Sequence, residues 1–186
     1  IGVFDSGLGG LTVLKYLLEY LPNEDFIYLG DLANLPYGNK SQDNIIKYSI
    51  KCAKFLESKN VKAIIIACNT ASSYAYDTIR NSIKVPIFDV ISPCIKEIIY
   101  SKNKKVAILG TEKTIESNIY ANSIKKNTSS IQTYNKACPL FVPIVEEGLE
   151  GTEITQSIID YYLNDIRKEK IDKLILGCTH YPILIK

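Results

Sequence analysis

The sequence predicts an α/β protein built on parallel sheets, and three observations predict it. Short apolar runs alternate with segments whose apolar residues recur at helical spacing. Two of the runs are near copies: VKAIIIACNT over Val61–Thr70 and IDKLILGCTH over Ile171–His180 each carry unbroken apolar residues into a cysteine and then a polar residue. Such runs suit strands covered on both faces. Finally, the alternation restarts about halfway, so that a second half repeats the first.

Taken in order, Ile1–Phe4 reads as a strand and DSGLGG (Asp5–Gly10) as a glycine-rich turn. Leu11, Leu14, Leu17, Leu18 and Leu21 mark a helix that Pro22 stops. Phe26–Leu29 is the second strand, followed by a loop over Gly30–Ser41. Ser41 caps a helix running to about Ser58, with Asp43 favourable in its first turn. The strand Ala63–Ala67, a helix over Ala71–Ser82 and the strand Pro86–Val90 close the first half. A helix near Pro93–Ser101 leads to the strand Val106–Leu109, whose GTEKT (Gly110–Thr114) holds the place of DSGLGG. The pattern then predicts one helix to about Lys126, a strand at Ile131–Asn135, a loop over Cys138–Gly148, a helix over Glu153–Lys168 and the strand Lys173–Leu176. The expected fold is therefore two similar doubly wound, flavodoxin-like domains related by a pseudo-two-fold axis, over residues 1–91 and 92–186, with the active site between them.

Bulk composition excludes several classes. The chain has 186 residues, 46% hydrophobic and 23% charged, as in a soluble globular protein. A net charge of +2 without a basic stripe leaves no footprint for nucleic acid, and no apolar run approaches the roughly 20 residues that span a bilayer. Five cysteines without a framework pattern fit a reducing cytoplasm. The chain has no methionine, starts inside an apolar strand with no secretory leader ahead of Ile1, and ends soon after another strand; it is expected to be a piece of a longer protein.

The chemistry lies in the cysteines that end the two matching runs. Parallel sheets present their functional groups at the carboxyl ends of strands, where Cys68 and Cys178 fall, 110 positions apart. Two thiols from two similar halves suit the removal of a proton from one face of a carbon and its return to the other. An unperturbed thiol is only a few per cent thiolate at neutral pH, so each needs a proton partner. Asp5 ends the strand expected beside the one carrying Cys68. His180 lies two residues past Cys178, on the same side if the strand continues that far. Asn69, Thr70 and Thr179 follow the thiols directly, with short polar side chains suited to a carboxylate.

Several segments together resemble the glutamate racemases, within the aspartate/glutamate racemase group: FDSGLGGLTVL (Phe4–Leu14), GDLANLPYGNKS (Gly30–Ser41), IIACNTAS (Ile65–Ser72), LGTEKTIES (Leu109–Ser117), CPLFVPIVEEG (Cys138–Gly148) and LGCTHYPIL (Leu176–Leu184). The resemblance runs from end to end. It implies cofactor-independent interconversion of L- and D-glutamate in the cytoplasm, without pyridoxal phosphate or metal, supplying D-glutamate for peptidoglycan. It also implies a homodimer, and a further segment that completes the first domain. Cys68 and Cys178 match the family's two thiols, Asp5 and His180 their proton partners. Glu146 matches a further acid on the Cys178 side, with Glu147 left open as the residue facing inward. Ser6, Pro36, Tyr37 and Gly38 match positions that bind the substrate carboxylates, and Asp5 is a partner for the ammonium.

Rival readings attach to the same residues. Cys68, Cys178, His180 and Asp5 would make a four-ligand zinc site, although long-range thiols do not match usual zinc spacing. A non-catalytic amino-acid-binding module would use the same cleft without the thiols, and aspartate racemase shares the two-cysteine plan. DSGLGG is neither GxGxxG nor a P-loop, which weighs against Asp31 as the ribose-binding acid of a dinucleotide site. Cys52, Cys94 and Cys138 lack the matching flanks and read as structural. Lys102–Lys105 reads as a solvated loop.

Overall fold

A computed structural model describes residues 1–185, and the chain divides into two compact units, Ile1–Ile91 and Ser92–Lys186. Each unit is a parallel sheet flanked by helices, the α/β class that the alternation predicts.

In the first unit the strands are β1 (Gly2–Asp5), β2 (Ile27–Gly30), β3 (Ile64–Ile66) and β4 (Ile87–Asp89), in the order β2-β1-β3-β4. The helices are α1 (Leu11–Tyr20), α2 (Gln42–Glu57) and α3 (Asn69–Arg80). Phe4, Ile64 and Ile66 cluster with Ile45, Ala53 and Leu56 of α2 and with Ala71, Ala75 and Ile79 of α3. Each large aliphatic side chain withdrawn from water contributes about 1.5–3 kcal/mol. Ser41 caps α2 by accepting from the Asn44 N–H at 3.4 Å. No residue of α1 is fully buried.

The second unit begins within α4 (Ile91–Tyr100) and contains β5 (Lys105–Gly110), α5 (Glu112–Glu116), α6 (Ile119–Asn127), β6 (Gln132–Ala137), α7 (Phe141–Glu146), α8 (Glu153–Arg167) and β7 (Lys173–Gly177). Its strand order, β6-β5-β7, reproduces β2-β1-β3. The repeat holds residue by residue. Phe4 pairs with Ile66, two positions before Cys68, and Leu109 pairs with Leu176, two positions before Cys178. Gly110 thus stands where Asp5 stands in the first unit, and Thr111 where Ser6 stands.

Two expectations are corrected. The single helix to Lys126 is two, broken at Asn118, whose φ of 52° is left-handed and interrupts the helical ladder. The loop over Cys138–Gly148 contains α7. Pro143 sits in its first turn, where the missing N–H has no helical partner to lose. The last strand falls where it is read in the sequence, Lys173–Gly177 against Lys173–Leu176, and Cys178, Thr179 and His180 lie past its end in a turn ahead of a 3₁₀ turn at Tyr181–Leu184. Among the described residues, no helix is long and apolar enough to cross a membrane.

Candidate active site

Cys68 is the N-cap of α3. Its sulfur accepts the Ala71 N–H at 3.4 Å and its S–H donates to the Ser6 hydroxyl at 3.6 Å. Burial pushes the Cys68 thiol up to about 12, with the negative charge of Asp5 adding to the rise; the Ala71 N–H and Ser6 pull the other way. The thiol thus stays protonated at neutral pH until something changes around it.

Asp5 closes β1, the neighbour of β3, and is wholly buried. Its Oδ2 accepts the Gly7 N–H at 3.0 Å, and its backbone oxygen accepts the Asp31 N–H at 3.0 Å. Asn69 and Thr70, the first two residues of α3, are 7% and 2% exposed. These side chains gather at the carboxyl ends of β1 and β3, as parallel-sheet sites do.

In the Pro36–Tyr37–Gly38 segment the tyrosine side chain turns inward. The Tyr37 side chain is 1% exposed and lies in the core of the first unit. Its hydroxyl donates to Asp31 Oδ2 at 2.6 Å and lies 3.9 Å from Cys52 sulfur. Asn34 donates to both oxygens of the same carboxylate, at 2.9 and 3.1 Å. Tyr37 is therefore a structural pin, and any contact of this segment with a carboxylate is left to the backbone. Asp31, the candidate ribose acid, is occupied in holding the loop. Neither Tyr37 nor Cys52 ionises in the ordinary range, because both are buried.

In the second unit Cys178, Thr179 and His180 are 7%, 6% and 7% exposed. Although the strand has ended, the turn brings His180 Nδ1 to 3.9 Å from Cys178 sulfur. The other ring nitrogen, Nε2, lies 3.3 Å from Glu146 Oε1 at the end of α7. Of the two glutamates left open by the sequence, Glu146 is the one that reaches the histidine. Tyr181 is 1% exposed, donates to the Cys138 carbonyl at 2.8 Å and packs edge-on against Phe141, the first residue of α7, at 5.2 Å between ring centres. It thereby ties the Cys178 turn to the helix carrying Glu146.

Each thiol has a distinct environment. Cys68 has a helix N-terminus, a hydroxyl and a buried carboxylate. Cys178 has an imidazole backed by a carboxylate, and a glycine where Asp5 would be. Among the described residues no group of three or more His, Cys, Asp and Glu side chains could hold a metal ion, and all five cysteines are free thiols.

The Asp/Glu/Hydantoin racemase family model matches residues 1–186. Over 186 residues the chain is 51% identical to the glutamate racemase of Sulfurihydrogenibium sp., covering 99% of this chain and 72% of that one. The crystal structure of glutamate racemase from Francisella tularensis in complex with D-glutamate superposes with a TM-score of 0.93 at 45% identity, covering 98% of this chain and 69% of that one. The Aquifex pyrophilus glutamate racemase structure gives 0.83 at 49%, covering 98% and 72%.

Proposed function

Because the chain belongs to the Asp/Glu/Hydantoin racemase family, we propose that it interconverts L- and D-glutamate by proton transfer through Cys68 and Cys178. The observation that carries this reading is the pair of thiols at register-equivalent positions, each with its own proton-handling neighbours.

One cysteine, as thiolate, takes the α-proton: an S–H bond forms, the Cα–H bond breaks, and its electron pair delocalises onto the adjacent carboxylate. The other cysteine, as thiol, delivers its proton to the opposite face and is left as thiolate. The mirror-image pair of protonation states runs the reverse reaction.

On the Cys178 side, the S–H proton moves to His180 Nδ1, giving thiolate and imidazolium, while Glu146 at Nε2 balances the new positive charge. On the Cys68 side the thiol rests protonated, ready as an acid. A substrate ammonium beside Asp5 offsets the carboxylate charge that holds the thiol up, and the Ala71 N–H then stabilises the thiolate. Ser6, Asn69, Thr70 and Thr179 supply hydrogen bonds to the substrate carboxylates, and the backbone of Pro36–Gly38 does the same. The thiols need no cofactor for this chemistry. The product D-glutamate would feed peptidoglycan synthesis in the cytoplasm.

Circular dichroism of L-glutamate incubated with the purified enzyme should decay to zero, and the D-glutamate formed should carry solvent deuterium at Cα when the reaction runs in D₂O. An undiminished signal excludes the racemase reading. Loss of the signal with retention of the original α-hydrogen excludes exchange through thiols.

A further inference from the structure

Tyr28 lies on β2, opposite Val3 of β1, and so projects on the sheet face shared by Val3 and Asp5. It interrupts an otherwise aliphatic strand with a hydroxyl. That hydroxyl donates to the Gly7 carbonyl at 2.8 Å. It therefore grips the DSGLGG turn at Gly7. The same Gly7 residue that gives its carbonyl to Tyr28 has its N–H in use, donating to Asp5 Oδ2 at 3.0 Å. The hydrogen bonds run in series: Tyr28 hydroxyl, Gly7, Asp5 carboxylate.

Packing leaves this arrangement no slack. A Cβ on Gly10 would lie 2.5 Å from the Asp5 Cβ and 2.8 Å from the Tyr28 oxygen. A Cβ on Gly30 would lie 2.5 Å from the Gly7 carbonyl oxygen. These glycines let the turn close directly onto Asp5 from one side and onto β2 from the other. Burial, with the nearby charges of Asp5 and Cys68, holds the Tyr28 phenol well above its ordinary range, so it remains a neutral donor at working pH.

We propose that Tyr28 is a positioning residue for Asp5, fixing through the Gly7 backbone the carboxylate that serves Cys68. The inference rests on the reading of Asp5 as the partner of Cys68. It deepens that reading by naming what orients the acid. Tyr28 acts through its hydrogen bond to the turn.

The test is Tyr28→Phe in the purified enzyme, with melting temperature followed throughout. Enantiomers are equally stable, so kcat/KM must fall equally in both directions, and rates alone do not locate the defect. Isotope effects do. Slowing the Cys68 step raises the primary effect of α-deuteration for one enantiomer of glutamate and leaves or lowers it for the other. The expected result is a fall in kcat/KM of about tenfold in the wild-type background with that asymmetry. In an Asp5→Asn background the fall should be less than about twofold, because the partner through which Tyr28 acts is gone. Equal effects in both backgrounds, or isotope effects that move together for both enantiomers, would overturn the proposal. Should Tyr28→Phe not fold, 4-aminophenylalanine at position 28 keeps a donor at the far edge of the ring. It should restore the wild-type isotope effects, and a folded protein that fails to do so refutes the idea. A wild-type enzyme that does not racemise glutamate would instead refute the functional reading itself.

Discussion

Glu146 and His180 are joined at 3.3 Å between Oε1 and Nε2, on the side of the imidazole away from the Cys178 sulfur. The two groups differ sharply in exposure: the Glu146 side chain is 42% exposed and that of His180 9%. That difference sets how much each should matter to proton transfer.

A half-exposed carboxylate is screened by water, so the pair is worth no more than about 1 kcal/mol. Glu146→Gln should lower kcat by no more than about fivefold, whereas His180→Asn, which removes the proton carrier beside Cys178, should cost about 10²–10⁴. Steady-state rates of both variants check the ranking. Equal losses would mean that Glu146 does more than balance charge.

Asp5 and Cys68 give an outcome that separates ionisation from catalysis. The carboxylate helps to hold the thiol up near 12, so Asp5→Asn should release it downward. One like charge removed at short range is worth about one pKa unit or more. Alkylation of Cys68 by iodoacetamide at pH 8, followed residue by residue in a mass spectrometer, should therefore quicken about tenfold. Racemisation by the same variant should slow. An unchanged alkylation rate would detach Asp5 from the thiol.

Much of this site was legible because strand ends are legible. Unbroken apolar runs located β3 and β7, and with them Cys68 and Cys178 one or two residues past the last paired position. The backbone exceptions were not. Asn118 splits a helix by a single left-handed residue, and its local sequence carries no glycine or proline to announce it. The stretch Cys138–Gly148 reads as a loop, yet its Pro143 lies in a first turn, where a proline is compatible with a helix. His180 reaches Cys178 through a turn that period-two reasoning does not describe. Tyr37 illustrates another gap: the motif around it was visible, but not that its hydroxyl is consumed by Asp31 inside the core. Tyr28 was passed over as one tyrosine among 13. Its signal was a lone hydroxyl inside an aliphatic strand two residues before a required glycine.

Buried thiols also predict how stability depends on pH. Cys52 is raised to about 11, and Cys68 and Cys138 to about 12, burial being the main cause in each. These groups ionise near 9.0 when exposed. From pH 9 upward the unfolded chain therefore releases protons that the folded chain retains. Stability is complete below about pH 9 and declines toward pH 12, by about 1.4 kcal/mol per pH unit for each such thiol. Cys138→Ala removes one of the three, and urea unfolding between pH 9 and 11 should show a slope shallower by that amount. An identical slope would mean that Cys138 is not retained as a buried thiol.

Tyr181 offers the most direct link between stability and chemistry in the second unit. Its hydroxyl satisfies the Cys138 carbonyl at 2.8 Å, and its ring meets Phe141 at the start of the helix that ends in Glu146. Tyr181→Phe keeps the ring and removes one of two donors to that buried carbonyl, the Phe141 N–H at 3.1 Å being the other, which costs about 0.5–1.5 kcal/mol. For a chain of this size the melting temperature should drop by a few degrees, about 1–6 °C. Because the ring contact survives, α7 stays in place, and the ratio of the rates in Tyr181→Phe and Tyr181→Phe/Glu146→Gln should match the modest ratio between wild type and Glu146→Gln. A much larger drop in rate for Tyr181→Phe alone, at unchanged melting temperature, would move Tyr181 from structural support to a direct part in aligning His180.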